Sequence, residues 1–192
     1  MSEVSASIRR PLVTGRRNRT VAALLAVVAA VVLPELFHAV GDATGMGRDL
    51  AQALLPMHLP VLLVGLLAGR VAGGVTGALA PLISFALSGL PAANILPFMV
   101  VELAAYGLVA GWLSERSLGV VWKIVLAQVA GRLVRLIAVV VAASSPGEII
   151  ALFAAGWDST LASWPGIVLQ WALIPLVMYW VAHVRDRKAP SD

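Results

Sequence analysis

The sequence predicts an all-α membrane protein, a compact bundle of six transmembrane helices, on three observations. First, 60% of the 192 residues are hydrophobic and only 12% are charged. The mean hydropathy is +0.92, a value of polytopic helical membrane proteins rather than soluble domains. Second, the apolar residues gather into six runs of about 20, the length of helix that crosses a bilayer. Third, Arg and Lys concentrate at one set of run ends, as topology-setting charges do. The same distribution argues against nucleic acid as the reason for a pI near 10.3. With no cysteine in the chain, disulfide, thiolate and zinc–sulfur chemistry are excluded.

In chain order, residues 1–19 form a basic arm carrying Arg9, Arg10, Arg16, Arg17 and Arg19. The run at 20–40 is too long for the apolar core of a signal peptide and is expected to be an uncleaved first span. The second span, 50–69, contains Pro56 and Pro60 and is expected to enter the membrane partly unwound. The third, 71–90, carries Gly73, Gly74 and Gly77, which favour close helix approach. Spans at 95–114, 120–143 and 164–184 follow. One membrane domain, 20–184, thus lies between the arm and a tail at 185–192, with short loops except 41–49 and 144–163.

With six spans both termini share a side. That side collects the arm arginines, Arg70, Arg116, Lys123, Arg185, Arg187 and Lys188, against Arg48 on the other. The positive-inside rule then predicts cytoplasmic termini.

The costliest stretch is Gln128-Val-Ala-Gly-Arg132-Leu-Val-Arg135. Its spacing of four and three puts Gln128, Arg132 and Arg135 on one helix face. Each intramembrane arginine costs roughly 2.5–3.5 kcal/mol on insertion scales, so the face should look inward at partners or a ligand. At a rise of about 1.5 Å per residue, Glu102, Arg135, Arg132, Gln170, Ser84 and His58 fall roughly 9–16 Å below the outer surface. They come from five spans, whereas the inner halves are apolar and small-residued. The pattern predicts a cavity open to the outside and sealed below.

Plainer readings stand beside this one. Glu102 and Arg132 can form a structural ion pair; His58 can cap a broken helix; Gln170 can bond a neighbouring backbone. Trp157, Trp164 and Trp180 suit an interfacial belt, and the first two could instead roof the cavity. Ala22, Ala26 and Ala30 repeat every four residues along span one. Such spacing admits a close helix, inside the bundle or on another subunit.

Spans two to six carry an ordered set of motifs: Leu55-Pro-Met-His58-Leu-Pro60-Val-Leu-Leu-Val-Gly65 and the glycine-rich third span through Pro81 and Ser84 to Gly89-Leu-Pro91. The set continues through Glu102-Leu-Ala-Ala-Tyr106-Gly107 and Ala130-Gly131-Arg132, to Trp164-Pro165-Gly166-Ile-Val-Leu-Gln170 and Ile174-Pro175. In these motifs and their order the chain resembles the substrate-binding S components of energy-coupling-factor (ECF) transporters, the vitamin-uptake systems of prokaryotes. The resemblance implies a binding subunit in the prokaryotic plasma membrane with no ATPase of its own, partnered by a transmembrane coupling subunit and two cytoplasmic ATPases. By position it implies that Glu102, Arg132, Arg135 and Gln170 line the site, with His58, Asn94 and Tyr106 as further candidates. The family's Ala-x-x-x-Ala docking motif falls on Ala22, Ala26 and Ala30. Two arginines against one glutamate suit an anionic vitamin-like ligand such as pantothenate, although an amide-rich neutral ligand is also compatible. No cofactor or metal is implied: the histidines are His38, His58 and His183, without ligand spacing. Two other classes remain, an autonomous small secondary transporter and an intramembrane enzyme using Glu102 and His58 as acid and base.

Overall fold

The computed structural model describes residues 11–47 and 49–187. Arg9, Arg10, Arg48 and Lys188, which entered the orientation argument, lie outside the described residues. Among the described residues eight helices follow in order: α1 Arg16–Thr44, α2 Asp49–Leu54, α3 His58–Ala68, α4 Arg70–Ser88, α5 Leu96–Leu113, α6 Val120–Ala142, α7 Pro146–Ala162 and α8 Trp164–Asp186. Among the described residues there is no strand. Six spans are long and apolar enough to cross a membrane: α1, the pair Asp49–Ala68, α4, α5, α6 and Trp164–Arg185 of α8. The six expected spans fall on these.

The second span is broken, as its prolines lead one to expect. Pro56 disfavours helical geometry in the residue before it, and Leu55 adopts φ +48°, a region that residues with a side chain seldom enter. Helix α2 stops at Leu54 and α3 begins at His58, so residues 55–57 form a bend in the bundle wall.

Lipid tails are as apolar as leucine, so helices associate through close packing rather than hydrophobic exclusion. The glycines provide it. A Cβ at Gly107 of α5 would fall on the carbonyl of Gly73 in α4, and one at Gly77 would overlap the backbone of Leu103. These two helices consequently form the most extensive pair in the bundle. Val61, Leu62 and Leu66 of α3, Leu103 and Ala110 of α5, Ile124 and Ala127 of α6 and Ile174 and Met178 of α8 complete the core.

Lys123, counted by sequence as a helix-end charge, is wholly buried. Its Nζ donates to the carbonyl of Ser114 at the end of α5 (3.2 Å). A cation there meets the negative pole of that helix.

The alanine stripe of α1 faces inward: Ala30 is fully buried and Ala26 is 9% exposed, and Ala22 and Ala26 pack with Val64, Ala68 and Ala72. The stripe thus lets α1 approach α3 and α4 closely, and a docking role for Ala22, Ala26 and Ala30 stays a proposal. The outer face of α1 presents Leu24, Leu25, Val28 and Val32. Residues 144–163, expected as loop, contain the 17-residue helix α7. Ser145 caps it, accepting from the Glu148 amide (3.3 Å), while the Ser144 amide donates to the Glu148 carboxylate (2.7 Å). Pro146 occupies the first helical turn, where its missing N–H costs nothing. Ser-Pro-Gly-Glu is thus a helix start lying in the sequence.

Candidate functional site

A cavity of about 560 Å³ opens at the end of the bundle opposite the termini, within the size range of small-molecule sites. Helix α1 supplies Pro34, Glu35 and His38 to it, and the broken second span supplies Gln52, residues 55–57 and His58. Ser84 comes from α4, Asn94 from the following loop, Phe98, Met99 and Glu102 from α5, and Arg132, Arg135 and Val139 from α6. Leu152, Ala155 and Ser159 of α7 complete the wall.

Glu102 is the electrostatic centre of the floor, with 1% of its side chain exposed. Arg135 donates through Nη1 to Oε2 at 2.9 Å. Arg132 approaches Oε1 through Nε at 3.2 Å, and the Tyr106 hydroxyl donates to the same oxygen at 3.1 Å. The two arginines keep 25% and 21% of their side chains exposed. Glu102 therefore accepts two hydrogen bonds and pairs with two arginines, while each guanidinium, with five N–H groups, retains donors for other acceptors. Arg132 spends another on Thr160 Oγ1 of α7 (2.8 Å), and Thr160 donates onward to the Gly156 carbonyl (2.8 Å). Arg135 passes beside Gly156, where an added Cβ would lie 3.9 Å from its guanidinium nitrogens. One carboxylate thus ties α5 to α6, and Arg132 ties both to α7.

Gly131 positions this group. A Cβ there would overlap the Tyr106 ring, so the glycine lets the ring lie flat on α6 with its hydroxyl at Glu102. The His58 ring stands 5.4 Å from the Tyr106 ring, inclined at 56°. His58 opens α3 without capping it, since Met57 holds the cap position with no side-chain bond. The buried Nδ1 atoms of His58 and of His38 have no hydrogen-bond partner among the described residues.

The structure brings Glu102, Arg132, Arg135, His58 and Asn94 together around one cavity. Tyr106 lies behind Glu102 and is absent from the lining. Gln170 is not in the lining either. It is 1% exposed and accepts from Gln128 Nε2 (2.9 Å), whose Oε1 in turn accepts from the Trp171 indole (2.9 Å). Its azimuth makes it a polar clamp between α6 and α8. Trp157 and Trp164 are more than half exposed and do not line the cavity. Glu35, His38, Gln52 and Ser159 do line it, unforeseen by sequence. Glu35 and His38 carried a signal in their spacing of three on one face of α1. With Glu35 counted, two carboxylates stand against two arginines, so the lining lacks the cationic surplus expected. What remains is a donor-rich floor with Glu35 on another wall. Among the described residues, no three His, Asp or Glu side chains converge as metal ligands.

A family model described as "ECF transporter, substrate-specific component" matches residues 17–182, spanning all six membrane helices. No curated protein and no solved structure matches the chain significantly.

Proposed function

Since the chain belongs to the family of ECF transporter substrate-specific components, we propose that it is the high-affinity binding subunit through which a vitamin or vitamin precursor is taken up. Membership makes it a multi-pass membrane subunit specific for a substrate and implies partnership with ECF coupling and ATPase modules. The setting proposed is the plasma membrane of a prokaryote with both termini inside, supported by Arg16, Arg17, Arg19, Arg70, Arg116, Arg185 and Arg187 on the terminal side of the spans. The cavity at the other end then faces outward.

The observation that carries the reading is the Glu102–Arg132–Arg135 cluster beneath an open-mouthed cavity of ligand size. Charge within a membrane is retained chiefly for function, and here the guanidinium donors left over after Glu102 is satisfied edge the cavity. Glu102, Arg132, Arg135, His58 and Asn94 are the proposed contacts, with Tyr106 holding Glu102. The donors suit acceptor oxygens on the ligand, either a carboxylate or amide carbonyls. Pantothenate has both and is the first compound to try.

The test is titration of the purified full chain with pantothenate and other vitamins, without ATP. Saturable binding at micromolar concentration or tighter, with the ligand recovered unchanged, is the expected result. Chemical conversion of the ligand by the isolated chain would favour the enzyme alternative, and net uptake by the chain alone in vesicles the autonomous transporter.

A further inference from the structure

A second depression, of about 640 Å³, lies at the opposite end of the bundle, between the start of α1 and the end of α8. One wall is the stretch before α1. The Val13 amide donates to the Leu67 carbonyl (2.8 Å), Arg19 Nε to the Val13 carbonyl (3.2 Å) and Arg185 Nη1 to the Leu12 carbonyl (3.1 Å). The wall is thus pinned in place, and each guanidinium involved has donors to spare. The other wall is apolar, formed by Trp180, Val181 and Val184. It runs on into the exposed surface of α8, where Leu176 is 62% and Trp180 63% exposed.

The charge here is predominantly basic, with Asp186 next to Arg185 as the acidic residue at the end of α8. Arg16, Arg17 and Arg19 crowd the first turn of α1, which contains no acidic residue and has no side-chain cap. Cations at a helix N-terminus oppose the helix dipole, and an anion at that level relieves both. Residues 1–10 are poor candidates to provide it, because they carry Arg9 and Arg10 against Glu3 alone. The depression also sits where apolar spans give way to charged ends, the level of lipid headgroups and of interfacial tryptophan.

We propose that this groove binds an anionic phospholipid, its phosphate at Arg185 and the first turn of α1 and an acyl chain along Trp180, Val181 and Val184. The polar and apolar walls match the two parts of one lipid, which neither a free anion nor a basic peptide would do. The inference is independent of the ligand bound at the other end.

Native mass spectrometry of the full chain, incubated with phosphatidylglycerol or with phosphatidylcholine of the same acyl chains, tests it. Selective retention of phosphatidylglycerol is expected, falling about fivefold for each arginine removed in Arg17→Gln and in Arg17→Gln/Arg185→Gln. Arg17→Gln is read alone as well, because Arg185 also holds Leu12. Arg116→Gln, outside the groove and stacked over Trp112 (4.6 Å), should retain the lipid fully. Equal retention of both lipids, equal loss in Arg116→Gln, or displacement by soluble glycerol 3-phosphate would overturn the proposal. A photoreactive side chain at position 18, with the protein in phosphatidylglycerol vesicles, should cross-link to lipid. Cross-linking to residues 1–10 or to a second protein would contradict it.

Discussion

Arg135 and Glu102 meet at 2.9 Å from neighbouring helices, the tightest contact to a carboxylate whose other oxygen is shared by Arg132 and Tyr106. Removing one partner of such a buried cluster costs about 3–5 kcal/mol, because the remaining charges lose compensation. Glu102→Ala is therefore expected to lower the thermal midpoint of the detergent-solubilised protein steeply. Replacing Glu102, Arg132 and Arg135 together by leucine should recover much of that stability yet abolish ligand binding. Binding by the triple variant would show that the cluster is structural alone.

Arg135→Ala is expected to weaken ligand binding by roughly 10- to 150-fold, the equivalent of about 1.5–3 kcal/mol for a hydrogen bond to a charged group. Arg116→Ala should change it little, since Arg116 lies among the α5–α6 connection residues and outside the cavity. Equilibrium titration of both variants decides the matter.

Gly131→Ala places a methyl group inside the Tyr106 ring. The ring must move, and overpacking of this kind costs about 1–3 kcal/mol. The variant should lose both stability and affinity, whereas Tyr106→Phe keeps the packing and loses only the bond to Glu102. A thermal shift larger for Gly131→Ala than for Tyr106→Phe is the expected order.

Gln170→Leu should leave affinity within about threefold and lower stability by about 0.6–1.7 kcal/mol, the range of interhelical hydrogen bonds in membranes. A large loss of affinity with unchanged stability would put Gln170 back in the site.

Thr160→Val removes the bond by which Arg132 reaches α7. Ligand dissociation, followed by rapid dilution, is expected to quicken several-fold, while the ion cluster itself stays intact. A hydrogen bond of about 1 kcal/mol sets that scale.

The spans were legible because hydropathy and length are local properties, and the break at Leu55 because Pro56 acts on its neighbour. Arg132 and Arg135 were legible because charge in a membrane is costly wherever it points. Gln170 shows what stays hidden in a sequence: depth says nothing about azimuth, which depends on how α8 rotates against Gln128. The alanines of α1 have the same ambiguity: spacing shows that a helix approaches, and only the packing against Val64, Ala68 and Ala72 shows which. Helix α7 was missed because its apolar residues read as loop between two spans, although Ser145 and Glu148 marked its start. Glu35 and His38 lie near the end of span one, where sequence alone does not separate a cavity wall from a helix end, and the structure places both in the lining.

The most direct test of the central claim, that the cavity over Glu102, Arg132 and Arg135 holds the transported molecule, is mass spectrometry of what co-purifies with the full chain. The account predicts one small molecule, rich in acceptor oxygens, bound one to one with the wild type and lost from Arg132→Ala/Arg135→Ala. The same molecule retained by a folded double variant would contradict it.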